Sequence, residues 1–203
     1  MGLEGSTAHR RREFFTRAVV MHTPRFIRAM HPKKGILPEP GAIQRVLDSG
    51  WVGQAKIHGH RCQLHVPADR ETGVVAYTRH GNFHTKRMTQ TMIAEVRRLF
   101  SPREDWNVID AEWVKPQDKL YVFDFLVAGG EKLSGLTFEE RWKKLPRSYI
   151  SPHVETLPLL RQLKDCLAAL GAKGSFNEGL VFKSLTTRGF HDTSIIRCRR
   201  RAA

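Results

Sequence analysis

Lys56 stands in the segment Ala55-Lys56-Ile57-His58-Gly59-His60-Arg61, and four later segments supply complementary chemistry. In order they are Asp110-Ala111-Glu112, Tyr121-Val122-Phe123-Asp124, Glu178-Gly179-Leu180-Val181-Phe182-Lys183 and Arg197-Cys198-Arg199. A lysine amine is a nucleophile once it has lost its proton. Carboxylates hold hard divalent cations, lysines and arginines neutralise phosphate, and an aromatic face accepts a stacked ring. Each piece alone is commonplace, because a lysine in a short apolar run ordinarily packs its stem and leaves its ammonium in water. A carboxylate on a half-exposed strand is likewise an ordinary surface charge. Together they suit a lysine that attacks a bound nucleotide.

The elements that position these residues are legible from periodicity. Ile43, Val46 and Leu47 have helical spacing and Gly50 is placed to stop the helix. Cys62, Leu64 and Val66 alternate as in a strand, which puts Lys56 at or just before it. Val74 to Thr78 comes after the turn Glu71-Thr72-Gly73 and predicts a hairpin that Gly81 ends. Met92, Ile93, Val96, Leu99 and Phe100 mark an amphipathic helix closed by Pro102. Val108 to Val114 and Leu120 to Val127 read as strands around Lys115-Pro116-Gln117-Asp118, with Asp110 and Glu112 on one strand face. Thr137 and Glu140 have capping-box spacing and open a helix with Trp142 and Leu145 inward. Leu160, Leu163, Leu167 and Leu170 predict a second helix that Gly171 stops, and the last strands fall at 179–185 and 194–198. Hairpins outnumber strand-helix-strand units, so the expected fold is α+β, with largely antiparallel sheets flanked by helices and the ligand between the sheets.

Composition narrows the partners. Against 20 Asp and Glu there are 34 Lys and Arg, a net charge of +14 and a pI near 10.3, while a 40% apolar fraction argues against disorder. Basic pairs and triplets recur along the chain, from Arg10-Arg11-Arg12 to Arg199-Arg200-Arg201, and favour a polyanion, nucleic acid above all. Residues 1–30 are basic and irregular, and Pro24, Pro32, Pro38 and Pro40 punctuate the approach to the first regular elements. The expected organisation is a basic N-terminal arm over 1–30 and one principal domain over 31–203. No apolar run of about 18 residues could span a bilayer, so no membrane association is expected. Met1-Gly2-Leu3-Glu4-Gly5-Ser6 fits only the loose myristoylation pattern. Cys62, Cys166 and Cys198 are odd in number and widely spaced, which fits a reducing cytoplasm better than a disulfide framework. Strand parity puts His58, His60 and Cys62 on one face and His65 on the other, which argues against a zinc site of all four.

In this order and spacing, with 56 positions from Lys56 to Glu112 and 66 from Glu112 to Glu178, the segments resemble the adenylyltransferase domain of the covalent nucleotidyltransferases. That superfamily comprises ATP-dependent DNA ligases, RNA ligases and mRNA capping enzymes, and the likeness runs from Gln54 to Arg199. It implies an ATP-grasp-like nucleotidyltransferase domain that uses ATP and magnesium, or manganese in its place. Lys56 matches the nucleophile that takes AMP from ATP, and cations at Lys183, Arg197 and Arg199, gathered around it, would disfavour its protonated form. Glu112 and Glu178 match carboxylates that hold ribose or metal. Phe123 matches the aromatic that stacks on the base, and Gln54 the residue that reads the adenine amino group. Ile57 and His58 fall in the nucleotide-binding segment, while Arg61 and Arg79, the latter in Thr78-Arg79-His80-Gly81, match arginines that approach ribose or phosphate.

Departures from the pattern bear on the substrate. His58 stands where DNA ligases usually carry Asp, and Lys-Ile-His-Gly is typical of one RNA ligase family. By contrast, Arg61, Thr78-Arg79-His80-Gly81, Asp110-Ala111-Glu112-Trp113-Val114 and Phe123-Asp124 followed by Arg141 look more like DNA ligases. The expected substrate is therefore nicked duplex DNA, with RNA or a hybrid as the alternative. A third reading is a nucleic-acid-binding module that kept the fold and lost turnover. Arg197 and Arg199 replace two family lysines, although a planar fork does not mimic a compact ammonium. The sequence ends four residues after Arg199, so the reading includes no C-terminal oligonucleotide-binding fold. It assigns the missing grip to the arginine-rich arm or to a protein partner, and expects a monomer.

Overall fold

The computed structural model describes residues 25–172 and 176–200. In chain order the strands and helices are β1 (Lys34–Ile36), α1 (Pro40–Asp48), β2 (Trp51–Ile57), β3 (His60–Pro67), β4 (Val75–Tyr77), α2 (Gln90–Phe100), β5 (Trp106–Val114) and β6 (Lys119–Ala128). They continue with β7 (Glu131–Lys132), α3 (Phe138–Lys143), β8 (Val154–Thr156), α4 (Leu163–Gly171), β9 (Asn177–Ser184) and β10 (Ile195–Arg199). One sheet has four strands in the order β1-β10-β9-β2. The other has six, running β4-β3-β5-β6-β7 with β8 added beside β6. Apart from β1 on β10 and β8 on β6, the pairings are antiparallel. The fold is thus the α+β arrangement expected, and no oligonucleotide-binding fold lies among the described residues.

Local signals account for most helix boundaries. Pro40 opens α1, where a missing N–H costs nothing. The Thr89 hydroxyl caps α2 by accepting from Met92 N–H at 3.3 Å. Thr137 and Glu140 form the reciprocal capping box at the start of α3. That helix ends at Lys143, so Leu145, though buried, lies beyond it. Leu160 is also outside a helix. It bridges Gly53 of β2, exchanging backbone hydrogen bonds of 2.9 and 2.8 Å, and α4 begins only at Leu163.

Each sheet buries one face. In the smaller sheet Leu180, Phe182 and Cys198 pack with Ile43 of α1 and Cys166 of α4. In the larger, Cys62, Leu64, Val66, Ile109, Ala111, Trp113 and Val122 pack with Met92, Val96 and Phe100 of α2. Strand alternation then turns Gln54, Lys56, Val181, Lys183 and Arg197 of one sheet, and Arg61, Asp110 and Glu112 of the other, away from these cores. Lys56 is the penultimate residue of β2, and His58-Gly59 carries the chain into β3 of the opposite sheet. This corrects the expectation of Lys56 at the margin of the strand through Val66: strand signals on both sides of a two-residue crossing merged into one run.

At the ladder position opposite Asp110, Asp124 of β6 receives a fork from Arg141 of α3, which is 0% exposed, with Nε to Oδ1 at 2.9 Å and Nη2 to Oδ2 at 3.0 Å. Its Nη1 donates to Leu136 O at 2.9 Å, so the charge is fully partnered. Removing one member of such a buried pair strands the other. Asp124→Ala is expected to lower the free energy of unfolding in urea by about 3–5 kcal/mol, and Asp124→Leu combined with Arg141→Met to recover more than half of that loss.

Candidate active site

A cavity of about 650 Å³ opens between the sheets. In the smaller sheet, β2, β9 and β10 lie side by side, and their register sets the inward side chains in rows. Gln54, Val181 and Arg197 share one row, and Lys56, Gly179 and Arg199 the next. Only a residue without a side chain fits between the two cations: a Cβ on Gly179 would lie 2.1 Å from Cys198 O, and its φ of +143° is strained for any other residue. Gly59, in the crossing, is equally constrained, since its Cβ would lie 2.8 Å from Trp113 O.

The strand pairing breaks at two site residues. Lys56 pairs with Gly179 and Ile57 with Asn177, so Glu178 is the extra residue of a β-bulge. Asp110 pairs with Asp124 and Ala111 with Val122, so Phe123 is the extra residue of another. Bulges re-aim a side chain that strict alternation would send elsewhere. Glu178 thereby reaches Lys56 Nζ with one oxygen and His58 Nδ1 with the other, and Arg199 Nε lies 3.8 Å away. Burial pushes the Glu178 carboxyl up, but the hydrogen bonds with Lys56 and His58 outweigh it and hold this acid below its usual range.

Phe123 lines the cavity with Arg61 Cζ 4.9 Å and Lys183 Nζ 4.5 Å from its ring centroid. Lys183 is 3% exposed, also lies 4.4 Å from the Phe138 ring centroid, and donates to Phe123 O at 3.4 Å. Burial pulls its ammonium down to about 8. Arg61 forks onto Asp110 through Nε and Nη2, and Nη1 donates to Met30 O at 3.2 Å. Glu112 is pushed by burial up to about 7, although Arg61 and Lys56 pull against this.

Of the residues expected at a site, Gln54, Lys56, Ile57, Arg61, Arg79, Glu112, Phe123, Lys183, Arg197 and Arg199 line this cavity. His58 and Glu178 do not, and pair with each other beside it. Arg79 is exposed and directs Nε to His80 Nε2 at 2.9 Å. The expected ring of cations around Lys56 is only part of the picture, because the group touching its ammonium is a carboxylate and Lys183 is held by aromatic rings. Sequence reasoning missed His31, Leu157 and Val181 in the lining and Phe138 beneath Lys183. Val181 was within a segment already singled out, whereas Leu157 acts through its carbonyl, which any residue carries. That carbonyl accepts from Gln54 Nε2 at 3.2 Å, while Gln54 Oε1 is buried with no hydrogen-bond partner. An open buried acceptor costs on the order of 1–3 kcal/mol until a donor meets it.

Comparison with known proteins places this architecture. The family model for RNA ligase matches residues 49–199. The chain belongs to the RNA ligase family. No curated protein sequence matches this ligase-family chain. Among solved structures, the ligase domain of LigD from M. tuberculosis is similar with a TM-score of 0.50 and 18% identity, over 74% of this chain and 55% of that one. A structure named Pmar-Lig_PreS3 is similar with a TM-score of 0.52 and 15% identity, over 82% of this chain and 46% of that one. At such identities the likeness is one of fold, that of a ligase nucleotidyltransferase domain, and the chain spans about half the length of these structures.

The elevated Glu112 carboxyl is directly measurable. Its side-chain carboxyl carbon is expected to titrate by NMR with a midpoint of about 7, and Lys56→Met to move that midpoint higher by removing a nearby positive charge. A midpoint in the ordinary range near 4 to 5 would count against the buried placement.

Proposed function

We propose that this chain is an ATP-dependent polynucleotide ligase in which Lys56 carries AMP between ATP and a 5′-phosphate end. The observation that carries the reading is one arrangement: Lys56, met by a carboxylate re-aimed by a bulge, opens onto a cavity with the Phe123 ring on its wall and the open acceptor of Gln54 in its lining. That acceptor fits the amino group of adenine. Arg197 and Arg199 stand in the same rows as Gln54 and Lys56 and fit the phosphates.

In the first step Lys56 Nζ bonds to the α-phosphorus, the bond to the bridging oxygen breaks, pyrophosphate leaves with that electron pair, and the amine loses a proton. The 5′-phosphate then displaces lysine to form an adenylated end, and the 3′-hydroxyl of the neighbouring strand displaces AMP. Attack requires the free amine, and the group touching the ammonium is Glu178. A bound magnesium would neutralise phosphate charge. Glu112 and Glu178 would hold it, in keeping with its preference for one or two carboxylates beside phosphate oxygens and water. Among the described residues no cluster of three or more His, Cys, Asp or Glu stands ready to hold a metal without such help.

Nicked duplex DNA is the substrate proposed first, on the segments shared with DNA ligases, and the net charge of +14 suits it. RNA is the second reading, favoured by the family match and by His58 in contact with Glu178. The arginine-rich stretch at residues 10–12 lies outside the described residues, and its grip on the strand stays a proposal, as do a protein partner, the monomeric state and the cytoplasm. Among the described residues no helix is long and apolar enough to cross a membrane.

Incubation with α-labelled ATP and magnesium is expected to label the protein, and Lys56→Ala to abolish the label. Unlabelled wild-type protein that also fails to seal a pre-adenylated nick would favour a binding module instead. Matched nicks with DNA or RNA termini separate the two substrates by rate. At limiting magnesium, labelling of Glu112→Gln is expected to be slow and to recover in part when magnesium is raised, because a neutral amide ligates a hard cation less well than a carboxylate.

A further inference from the structure

The hairpin that carries Arg79 also presents an aromatic ring outward. After Tyr77 the chain turns, with Thr78 N–H donating to Asn82 O at 2.7 Å and Gly81 N–H to Thr78 O at 3.0 Å, and returns so that Phe83 bridges Tyr77 in antiparallel register. The two rings are stacked, with centroids 4.9 Å apart and planes 29° from parallel. Tyr77 in turn lies 4.7 Å from the buried His65 ring and 6.0 Å from Phe26. Phe83 is the outer end of this row and is 66% exposed. Tyr77 pairs with Gln63 of β3, which sets the row on the sheet face that carries Arg61, and Thr78, Arg79, His80, Asn82 and His84 of the same hairpin line the cavity.

A single exposed phenylalanine is ordinary on a protein surface. Phe83 differs in its setting. Its ring is backed by a fixed neighbour, so little rotamer freedom is left to lose on binding. From Val74 to Gln90 there is no Asp or Glu, while Arg79, Lys86, Arg87, His80 and His84 supply positive or titratable nitrogen. An aromatic face within a basic stretch is the pairing used to hold an unstacked base beside its phosphates, whereas an apolar protein partner would find this rim poorly matched. We propose that Phe83 is a stacking platform for a nucleobase next to the strand end that the cavity receives. This rests on the polynucleotide-ligase reading and deepens it, because it makes recognition depend on a base as well as on phosphates.

The test uses the full chain and a 12-nucleotide single strand with a 5′-phosphate and a fluorophore at its 3′ end, read by anisotropy. Phe83→Ala is expected to weaken binding about 5- to 30-fold, Phe83→Leu to do nearly the same, and Phe83→Trp to keep wild-type affinity. Labelling with α-labelled ATP is expected to be unchanged in all three, which also shows that they fold. An abasic nucleotide walked through the three positions nearest the 5′ end should reproduce the loss at one of them, and Phe83→Ala should be insensitive at that position. The slope of affinity against salt should not change, because no charge is removed. Equal affinity of Phe83→Ala and wild type, or losses from the variant and the abasic site that multiply at every position, would overturn the platform. So would a wild-type dimer by sedimentation that Phe83→Ala dissociates, since the ring would then serve a second copy of this chain. A wild-type protein that binds the strand through Phe83 but never takes label would leave the platform standing and remove the lysyl-AMP chemistry.

Discussion

Strict alternation of side chains along a strand is the constraint on which the site depends. A sheet with one face in an apolar core has only every second residue to offer a ligand. Lys56 obtains its place that way, but Glu178 and Phe123 do not. Each is the residue left over where two strands slip by one, and each is thereby released from the parity of its neighbours. The strained backbone at Gly179 accompanies the first slip. The buried fork of Arg141 on Asp124 stands directly beside the second, and ties β6 to α3 at the point where its ladder is interrupted.

Electrostatics are set by that geometry. Charged groups crowd between two apolar layers, where burial penalises each of them and only close partners offset the penalty. The outcomes differ by position. Asp110 is neutralised by Arg61, and Glu178 is held ionised by Lys56 and His58. Glu112 stays easier to protonate, because the pull of Arg61 and Lys56 does not outweigh its burial. Two acids 66 positions apart in sequence thus come to have opposite tendencies within one site.

Much of the fold was legible in the sequence, for reasons that can be named. The Thr137–Glu140 box marks a helix start because it satisfies backbone groups locally, whereas the cap by Thr89 and the start at Pro40 were seen only in the structure. Alternation marked β3, and apolar runs on either side of the Lys115–Asp118 turn marked β5 and β6. What escaped was set by distant partners. β1 and β8 are three residues each, too short for a period to register, and exist because β10 and β6 offer them an edge. Leu160 kept helical spacing with Leu163 and Leu167 but was captured by the backbone of Gly53. Ten residues of the cavity were found by type and order, while the contact between Lys56 and Glu178 was not, because a bulge leaves no mark in composition. Residues 1–24, with most of the expected basic arm, lie outside the described residues.

The Phe123 ring is not a vacant platform. Arg61 and Lys183 both lie over it, and each is anchored on its other side, by Asp110 and by the Phe138 ring. A flat ligand arriving there exchanges places with a cation instead of covering bare hydrocarbon. The gain from stacking is then a difference between two π-contacts, smaller than the whole value of either. Arg61 keeps the Asp110 carboxylate, whereas Lys183 has only rings and the Phe123 carbonyl, so it is the cation whose displaced charge a phosphate would answer. A base without phosphate would vacate the cation and leave it unanswered, so this ring favours ligands that carry both parts.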